Sequence, residues 1–225
     1  MIEALVFDLD DTLYPEKEFA MSGYHAVAQS LADSNICDFE SAYSCMAEAF
    51  VAGGKQRVFP ALLEKLPDLP MTLADLVNIY RQHSPKIRLF PGYPELLQSL
   101  AREYRLGVIT DGLPAVQARK VQALGLESVV DKIIYTWEYG ADKQKPHPLP
   151  FSLMLEYLQA NPESTLYVGD NPEKDCLGAH GAGMKCAQIQ YPSANRVGSG
   201  AVTQEQPEFV IDTLFQLPQI LRRLN

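Results

Sequence analysis

The sequence predicts an α/β protein with a doubly wound parallel β-sheet and a separate helical segment near the N-terminus. From Leu89 onward, short apolar segments of strand length alternate with longer amphipathic segments of helical period. No strand-like segment occurs between Tyr14 and Ile87, where apolar residues recur every three or four positions. Repeated strand–helix units predict a parallel sheet that is covered by helices on both faces.

Composition narrows the possible classes of function. The chain has 225 residues, enough for one large domain or for a domain that carries an insert. A net charge of −9 argues against nucleic acid as a partner, because phosphate backbones bind to positively charged surfaces. We find no basic leader followed by an apolar stretch and no run of roughly 18 apolar residues. A cytoplasmic protein without a membrane partner is therefore expected.

The cysteines carry no metal-binding signature. Cys37, Cys45, Cys176 and Cys186 show neither a CxxC spacing nor neighbouring histidines in a zinc pattern. We therefore expect four reduced thiols, as is usual in a cytoplasmic protein.

The first predicted element is a strand over residues 2–7, an apolar segment rich in branched and aromatic side chains. Three carboxylates follow it, at Asp8, Asp10 and Asp11. If the strand continues through Asp10, the side chains of Asp8 and Asp10 point to the same side. Carboxylates this close repel one another, and a hard divalent cation such as Mg²⁺ would relieve the repulsion.

A helical insert is predicted for residues 14–88. Its four helical segments cover residues 20–32, 39–50, 60–66 and 73–83. Thr72 and Asp75 have the spacing of a capping box at the start of the last segment.

The remainder of the chain alternates between strands and helices. Strands are predicted at residues 105–109, 132–136, 165–168, 185–189 and 209–211. Helices are predicted at residues 94–104, 114–124, 150–159, 172–182 and 213–224. Residues 191–207, rich in Ser, Gly, Pro and Gln, are predicted to form a surface loop.

Polar residues follow the predicted strands, and the carboxyl ends of parallel strands lie along one edge of a sheet, where such proteins bind ligands. The groups in question are Asp8, Asp10 and Asp11; Thr110, Asp111 and Gly112; Lys143 and Lys145; and Gly169, Asp170, Asn171 and Asp175. Several carboxylates, a hydroxyl and one or two ammonium groups should therefore meet at this edge.

These motifs resemble the four ordered motifs of the haloacid dehalogenase superfamily. The first is Asp8-Leu9-Asp10-Asp11-Thr12-Leu13, and the others are Thr110-Asp111, Lys145-Pro146 and Gly169-Asp170 through Asp175. Residues 14–88 resemble the α-helical cap of this superfamily, and residues 1–13 with 89–225 resemble its Rossmann-like catalytic core. One departure is His147, two positions after the motif lysine, where members of the family often carry an acidic residue.

The resemblance implies a role for each carboxylate. Asp8 matches the nucleophile that forms an aspartyl-phosphate, and Asp10 matches the general acid/base. Asp170 matches a Mg²⁺ ligand, together with Asp8 and the backbone carbonyl of Asp10. Asp175 and Asn171 match residues that support the metal site.

The remaining motif residues match groups that bind phosphate. Thr110 corresponds to the hydroxyl that contacts a phosphoryl oxygen, assisted by the backbone N–H groups of Asp111 and Gly112. Lys145 corresponds to the cation that balances the charge on the nucleophile and on the transferring group.

The reaction expected from these residues is hydrolysis of a phosphate monoester. Asp10 favours it, because an alkoxide leaving group needs a proton donor whereas a halide does not. The substrate would be a small phosphorylated metabolite such as a sugar phosphate or a nucleoside monophosphate. Tyr14, Lys55 and Arg57 are candidates for contacting it from the helical insert, and the protein is expected to be a monomer or a homodimer.

Three alternatives remain open. The first is a phosphomutase of the same superfamily, which would return the phosphoryl group to a bound sugar. The second is a catalytically silent relative that serves as a binding protein, although no motif Asp or Lys is missing. The third is a response-regulator receiver, which also combines Asp, Thr and Lys around Mg²⁺ but lacks a helical insert between Asp8 and Thr110.

Overall fold

The computed structural model describes residues 1–191 and 206–225 and divides into two compact units. One unit consists of Met1–Pro15 and Leu89–Asn225, and the other of Glu16–Arg88. The sequence predicts this boundary between residues 13 and 14. In the structure, Tyr14 and Pro15 belong to the first unit instead of the helical one. Most of the loop predicted at residues 191–207 lies outside the described residues.

The first unit contains a parallel sheet. Its six strands within the described residues are β1 (Ala4–Phe7), β2 (Arg105–Thr110), β3 (Lys132–Tyr135), β4 (Thr165–Gly169), β5 (Lys185–Ile189) and β6 (Phe209–Ile211). They lie in the order β3-β2-β1-β4-β5-β6, and each neighbouring pair is parallel. The chain therefore reverses its direction across the sheet between β1 and β4, the position at which ligands bind in sheets of this kind.

The second unit is helical. Residues 16–88, all of them described, form α1 (Glu16–Asp33), α2 (Phe39–Gly53), α3 (Val58–Lys65) and α4 (Leu73–Gln82). Their apolar faces share one core, to which α1 contributes Tyr24 and Leu31 and α2 contributes Met46. The predicted capping box is present: the Thr72 side chain accepts from the Asp75 N–H, and the Asp75 carboxylate accepts from the Thr72 N–H.

Helices follow most strands of the first unit. They are α5 (Tyr93–Leu100), α6 (Pro114–Ala123), α7 (Pro148–Leu158), α8 (Asp175–Gly181) and α9 (Leu217–Leu224). Consecutive residues of β1 point to opposite faces of the sheet, and every residue from Ala4 to Phe7 is fully buried. Both faces of the sheet are therefore covered, which confirms the predicted doubly wound α/β class.

One face of the sheet packs against α7 and α8. Phe151 and Met154 of α7 and Ala179 of α8 share a buried core with Ala4 and Val6 of β1.

Among the described residues, no helix is both long and apolar enough to cross a lipid bilayer.

The expectation of four reduced thiols is wrong for two of the cysteines. Cys176 of α8 and Cys186 of β5 form a disulfide, with their Cα atoms 5.3 Å apart. The two cysteines are ten positions apart in sequence, and the packing of α8 beside β5 brings them together. No short sequence motif predicts this pairing. Cys37 and Cys45 are free thiols.

Candidate active site

Asp8 lies at the carboxyl end of the central strand. β1 ends at Phe7, and the Asp8 N–H donates to the Val168 carbonyl of β4 at 2.9 Å. The strand does not continue through Asp10, and Asp11 has a φ of 54°, which turns the chain away from an extended path. Asp8 and Asp10 have different bonding partners and belong to two groups of side chains.

The first group, which we call the Lys145 cluster, consists of Lys145, Asp8, Asp175 and Tyr167. Lys145 Nζ donates to Asp8 Oδ1, to Asp175 Oδ1 at 2.7 Å and to Tyr167 Oη at 3.2 Å. The tyrosine hydroxyl in turn donates to Asp175 Oδ1 at 3.1 Å. Lys145 is only 4% exposed, so its charge is held by these carboxylates in place of water.

Asp170 lies beside the Lys145 cluster. Single carboxylate oxygens of Asp8, Asp170 and Asp175 lie within 4.8 Å of one another, close enough to hold one cation. Such oxygens are the preferred ligands of Mg²⁺. Asp175 already accepts hydrogen bonds from Lys145, from Tyr167 and from the Asn171 N–H at 3.0 Å. Asp8 and Asp170 are therefore better suited as direct ligands, with Asp175 in support.

Burial, with a contribution from neighbouring carboxylates, raises the pKa values of two of these acids. Burial raises the pKa of Asp8 well above its usual range, even though Lys145 opposes the shift. Burial and the nearby Asp175 carboxylate raise the pKa of Asp170 to about 7. A bound divalent cation would offset this repulsion, so the donor set fits the predicted Mg²⁺.

The second group, which we call the Lys120 cluster, surrounds Asp10. Lys120 Nζ lies 2.7 Å from Asp10 Oδ1 and 3.0 Å from Oδ2, while Gln117 Nε2 donates to Oδ2 at 2.9 Å. The hydroxyl of Tyr14 donates to Oδ1. Burial would raise the pKa of Asp10, but the charge of Lys120 and these hydrogen bonds outweigh it and lower the pKa.

Thr110 ends β2 next to the Lys120 cluster. Its Oγ1 accepts a hydrogen bond from Gln117 Nε2, and the residue is buried. Gly112 has a φ of 118°, a conformation that glycine adopts readily, and this bend leads into α6. The hydroxyl and the backbone N–H groups predicted to bind phosphate thus lie at the same sheet edge as Asp8.

The side chain of Asp111 has a supporting position that the sequence does not predict. Asp111 Oδ1 accepts from the Lys145 N–H at 3.0 Å and from Thr136 Oγ1 at 2.9 Å. Asp111 therefore fixes the loop that carries Lys145 into the Lys145 cluster.

A glycine at the end of β4 allows Asp175 to approach. A Cβ atom at Gly169 would lie 2.3 Å from Asp175 Oδ2, so any larger residue would displace this carboxylate. Asn171 contacts Asp175 through its backbone N–H, whereas its side chain accepts from the Glu173 N–H at 3.1 Å. A role for Asn171 in supporting a metal site stays a prediction.

Comparison with known proteins gives the same assignment as the geometry. The family model for haloacid dehalogenase-like hydrolases matches residues 5–189. The chain belongs to this family. The predicted family is thus confirmed, and the strand ends that carry the two clusters lie within the matched region.

Relatives of this hydrolase span its whole length. The glyceraldehyde 3-phosphate phosphatase of Methanocaldococcus jannaschii is 30% identical, and the alignment covers 100% of this chain and 99% of the relative. Pyrophosphatase PpaX of Bacillus mycoides is 26% identical, with coverage of 100% and 99%. The crystal structure of the HAD-hydrolase YfnB of Bacillus subtilis, bound to magnesium, has a TM-score of 0.66 at 24% identity, covering 98% of both chains.

The candidates for substrate contact from the helical insert have mixed outcomes. Tyr14 belongs to the sheet-containing unit and is fully buried, with its hydroxyl bonded to Asp10, so its assignment to the insert is wrong. Lys55 forms an ion pair with Glu16, and Arg57 lies 3.5 Å from Glu64, both within the helical unit. A role for Lys55 and Arg57 in substrate contact stays a prediction.

Sequence reasoning missed Gln117, Lys120 and Tyr167. Gln117 and Lys120 are three positions apart and so share one face of α6, directly after the Thr110 motif. A Gln and a Lys on a helix usually indicate a solvated face, whereas here both are buried. Their position on the helix that begins at the sheet edge is the one sequence feature that could have indicated their place in the site.

Proposed function

We propose that this hydrolase is a Mg²⁺-dependent phosphomonoesterase that acts through an aspartyl-phosphate on Asp8. The observation that carries the proposal is the Lys145 cluster, with Lys145 between Asp8 and Asp175 and with Asp170 beside it. This arrangement would supply a nucleophile, a neutralising cation and a metal site at one edge of the sheet. The predicted enzyme class, a phosphatase of this family, is confirmed by the relatives.

In the first half-reaction, a carboxylate oxygen of Asp8 attacks phosphorus in line with the ester oxygen. A bond forms between Asp8 and phosphorus, the bond from phosphorus to the ester oxygen breaks, and Asp10 donates its proton to the leaving alkoxide. The lowered pKa of Asp10 favours its carboxylate form in the free enzyme. A phosphate dianion close to Asp10 opposes this by like-charge repulsion and promotes its protonation.

In the second half-reaction, water attacks the phosphorus of the aspartyl-phosphate. Asp10, now a carboxylate, takes a proton from this water, inorganic phosphate leaves and Asp8 is restored. The lowered pKa of Asp10 suits this step directly.

The remaining groups stabilise charge on the transferring phosphoryl group. The Thr110 hydroxyl and the N–H groups of Asp111 and Gly112 donate to phosphoryl oxygens, and Lys145 balances the charge on Asp8. Asp8, Asp170 and the backbone carbonyl of Asp10 would hold the Mg²⁺, with Asp175 and Asn171 in support. When bound, the ion neutralises negative charge on the phosphoryl oxygens.

The proposed substrate is a small phosphorylated metabolite, with sugar phosphates tested first. Glyceraldehyde 3-phosphate phosphatase and pyrophosphatase are the names of relatives that align over the full chain, and both act on small phosphorylated compounds. Nucleoside monophosphates form the second group for testing. Cytoplasmic localisation and a monomeric or homodimeric state stay predictions.

The test is release of inorganic phosphate from p-nitrophenyl phosphate and from a panel of phosphorylated metabolites, with and without Mg²⁺. We expect activity that requires Mg²⁺ and that falls by at least about 10⁴-fold in Asp8→Asn, because the nucleophile is lost. Mass spectrometry of the wild type during turnover should show a single added phosphoryl group on the peptide that contains Asp8.

The matched control is Asp212→Asn, the same substitution at an exposed position, which should retain wild-type activity. Activity that survives Asp8→Asn or an excess of chelator would overturn the proposal. Conversion of a sugar phosphate to its isomer without release of phosphate would indicate the phosphomutase, and no turnover of any compound would indicate the binding protein.

A further inference from the structure

We propose that Gln117 and Lys120 are positioning residues that fix Asp10 as acid/base and Thr110 as phosphate donor. The inference rests on the proposed phosphatase function and adds to it a second set of buried residues on α6. Neither residue belongs to the four motifs that identify the family in this sequence.

Lys120 holds both oxygens of Asp10. Its Nζ lies 2.7 Å from Oδ1 and 3.0 Å from Oδ2, so the ammonium group restrains rotation of the carboxylate. Lys120 is only 4% exposed. A buried ammonium group is costly to desolvate and keeps its position only while its partner is in place, so Lys120 and Asp10 constrain each other.

Gln117 bridges two groups with different roles. Its Nε2 donates one hydrogen bond to Thr110 Oγ1 and another to Asp10 Oδ2 at 2.9 Å, which uses both N–H bonds of the amide. Because Thr110 Oγ1 accepts from Gln117, the proton of its own hydroxyl is available for a phosphoryl oxygen. Gln117 therefore sets the polarity of Thr110 as well as the separation between Thr110 and Asp10.

One helix couples these groups. α6 begins at Pro114, shortly after Thr110, and the three-residue spacing of Gln117 and Lys120 places both on the same helical face. Tyr14 donates to Asp10 from the opposite end of the same carboxylate, at Oδ1. Asp10 is thus restrained from three directions, and loss of one restraint should misplace it by a fraction of an ångström or more.

The first experiment measures how strongly the rate depends on the leaving group in Lys120→Met, using p-nitrophenyl phosphate and phenyl phosphate. Departure of phenolate needs a positioned acid more than departure of the stable p-nitrophenolate does. We expect kcat/KM to fall by about 10²-fold with phenyl phosphate and by about tenfold or less with p-nitrophenyl phosphate. A purely structural role for Lys120 would lower both rates by the same factor.

The second experiment reverses the hydrogen-bond polarity with Gln117→Glu, which preserves size. A carboxylate there accepts the Thr110 proton and repels Asp10, so phosphate loses a donor. We expect the inhibition constant of inorganic phosphate to rise by about tenfold, together with a lower melting temperature, because a second carboxylate is then buried beside Asp10. Gln117→Leu, which removes the bridge without reversing it, should have the smaller effect on phosphate inhibition.

A double-mutant cycle separates action through Asp10 from a general loss of structure. In the Asp10→Asn background, Lys120→Met should cause less than about a twofold further loss, because the residue it positions has already lost its acid/base function. This double variant also removes both buried charges together, so it should fold if the single variant does not. Lys65→Met, the same substitution at an exposed lysine of the helical unit, is the control and should match the wild type.

Equal losses on both aryl phosphates, or additive losses in the cycle, would overturn the positioning role. A wild type without Mg²⁺-dependent phosphatase activity would instead overturn the proposed function. If the wild type is an active Mg²⁺-dependent phosphatase but Lys120→Met has the same ratio of kcat/KM values for the two aryl phosphates as the wild type, this inference alone is rejected.

Discussion

Two buried lysines contact carboxylates of the same acidic motif, and their surroundings differ in charge. Lys145 faces Asp8 and Asp175, with Asp170 close to both, so one positive charge is set against three carboxylates. Lys120 forms an ion pair with Asp10. The Lys145 cluster with Asp170 therefore carries an excess of two negative charges when fully ionised, whereas the ion pair in the Lys120 cluster is neutral.

This difference explains why two aspartates only two positions apart shift in opposite directions. Burial raises the pKa of Asp8 in the acidic surroundings, while Lys120 and its neighbours lower the pKa of Asp10. It also explains where a divalent cation would bind, since the first group has negative charge left to neutralise. Metal binding and acid/base chemistry are thus assigned to separate charge environments.

The largest effect that tests this separation is expected for Lys145→Met. Loss of the cation beside the nucleophile should lower kcat by about 10³-fold, because charge on Asp8 and on the phosphoryl group is no longer balanced. Affinity for Mg²⁺ should be unchanged or higher, since the ion then meets one positive charge fewer. Steady-state kinetics and calorimetric Mg²⁺ titration measure the two effects. A variant that keeps a tenth of wild-type activity would contradict the role of Lys145.

The main effect of Asp170→Asn should be a lower affinity for Mg²⁺. We expect Mg²⁺ affinity to fall by about 10² and activity to recover partly at high Mg²⁺ concentration. Binding of Mg²⁺ should raise the melting temperature of the wild type and have less effect on the variant. Asp10→Asn is the matched control, because its side chain lies in the Lys120 cluster. An equal loss of Mg²⁺ affinity in both variants would show that the two environments are not separate.

The pH dependence of Mg²⁺ binding should follow Asp170, whose pKa burial and Asp175 raise to about 7. A protonated carboxyl is a poor ligand, so affinity should rise by about tenfold per unit below pH 7 and level off above it. Without metal, the folded protein retains a proton on Asp170 that the unfolded chain loses from about pH 3.8 upward. This contribution to stability therefore falls as the pH rises from 3.8 to 7. Calorimetric Mg²⁺ titrations across this range measure the affinity, and an affinity independent of pH would refute the assignment.

Tyr14→Phe should have the smallest effect. It removes one hydrogen bond to Asp10 and leaves Lys120 and Gln117 in place, while the phenyl ring keeps the buried packing. A hydrogen bond to a charged group is worth about 1.5–3 kcal/mol, which sets an upper limit of roughly 10- to 100-fold in rate. Because Lys120 and Gln117 still restrain Asp10, we expect a smaller reduction in kcat, of about three- to tenfold, measured with phenyl phosphate. A loss as large as that of Lys145→Met would mean that restraint of Asp10, and not charge balance, limits the rate.

The sequence predicts the Lys145 cluster well because strand order and chemistry agree there. Asp8 and Asp170 directly follow β1 and β4, and the carboxyl ends of parallel strands lie along one edge of the sheet. Asp10 marks where this reasoning ends, because β1 ends at Phe7 and Asp10 enters the Lys120 cluster. Alternation along a strand cannot predict a turn that begins directly after it.

The Lys120 cluster is not visible in the same way. Gln117 and Lys120 are residue types that helices usually expose, but here both are buried where they contact Asp10 and Thr110. The predicted boundary at Tyr14 is wrong because residue type alone does not show whether an aromatic residue before a helix packs in the sheet-containing unit or in the helical unit. The disulfide is missed because Cys176 and Cys186 meet only when α8 packs beside β5.

The position of β1 in the sheet has a mechanical consequence. Its backbone is hydrogen-bonded to β2 on one side and to β4 on the other, and the Asp8 amide extends this pairing by one residue. Amide hydrogens held in this way exchange with solvent only in rare openings of the sheet. The main chain beneath the attacking oxygen is therefore among the stiffest parts of the molecule, and adjustments during turnover fall to side chains and loops.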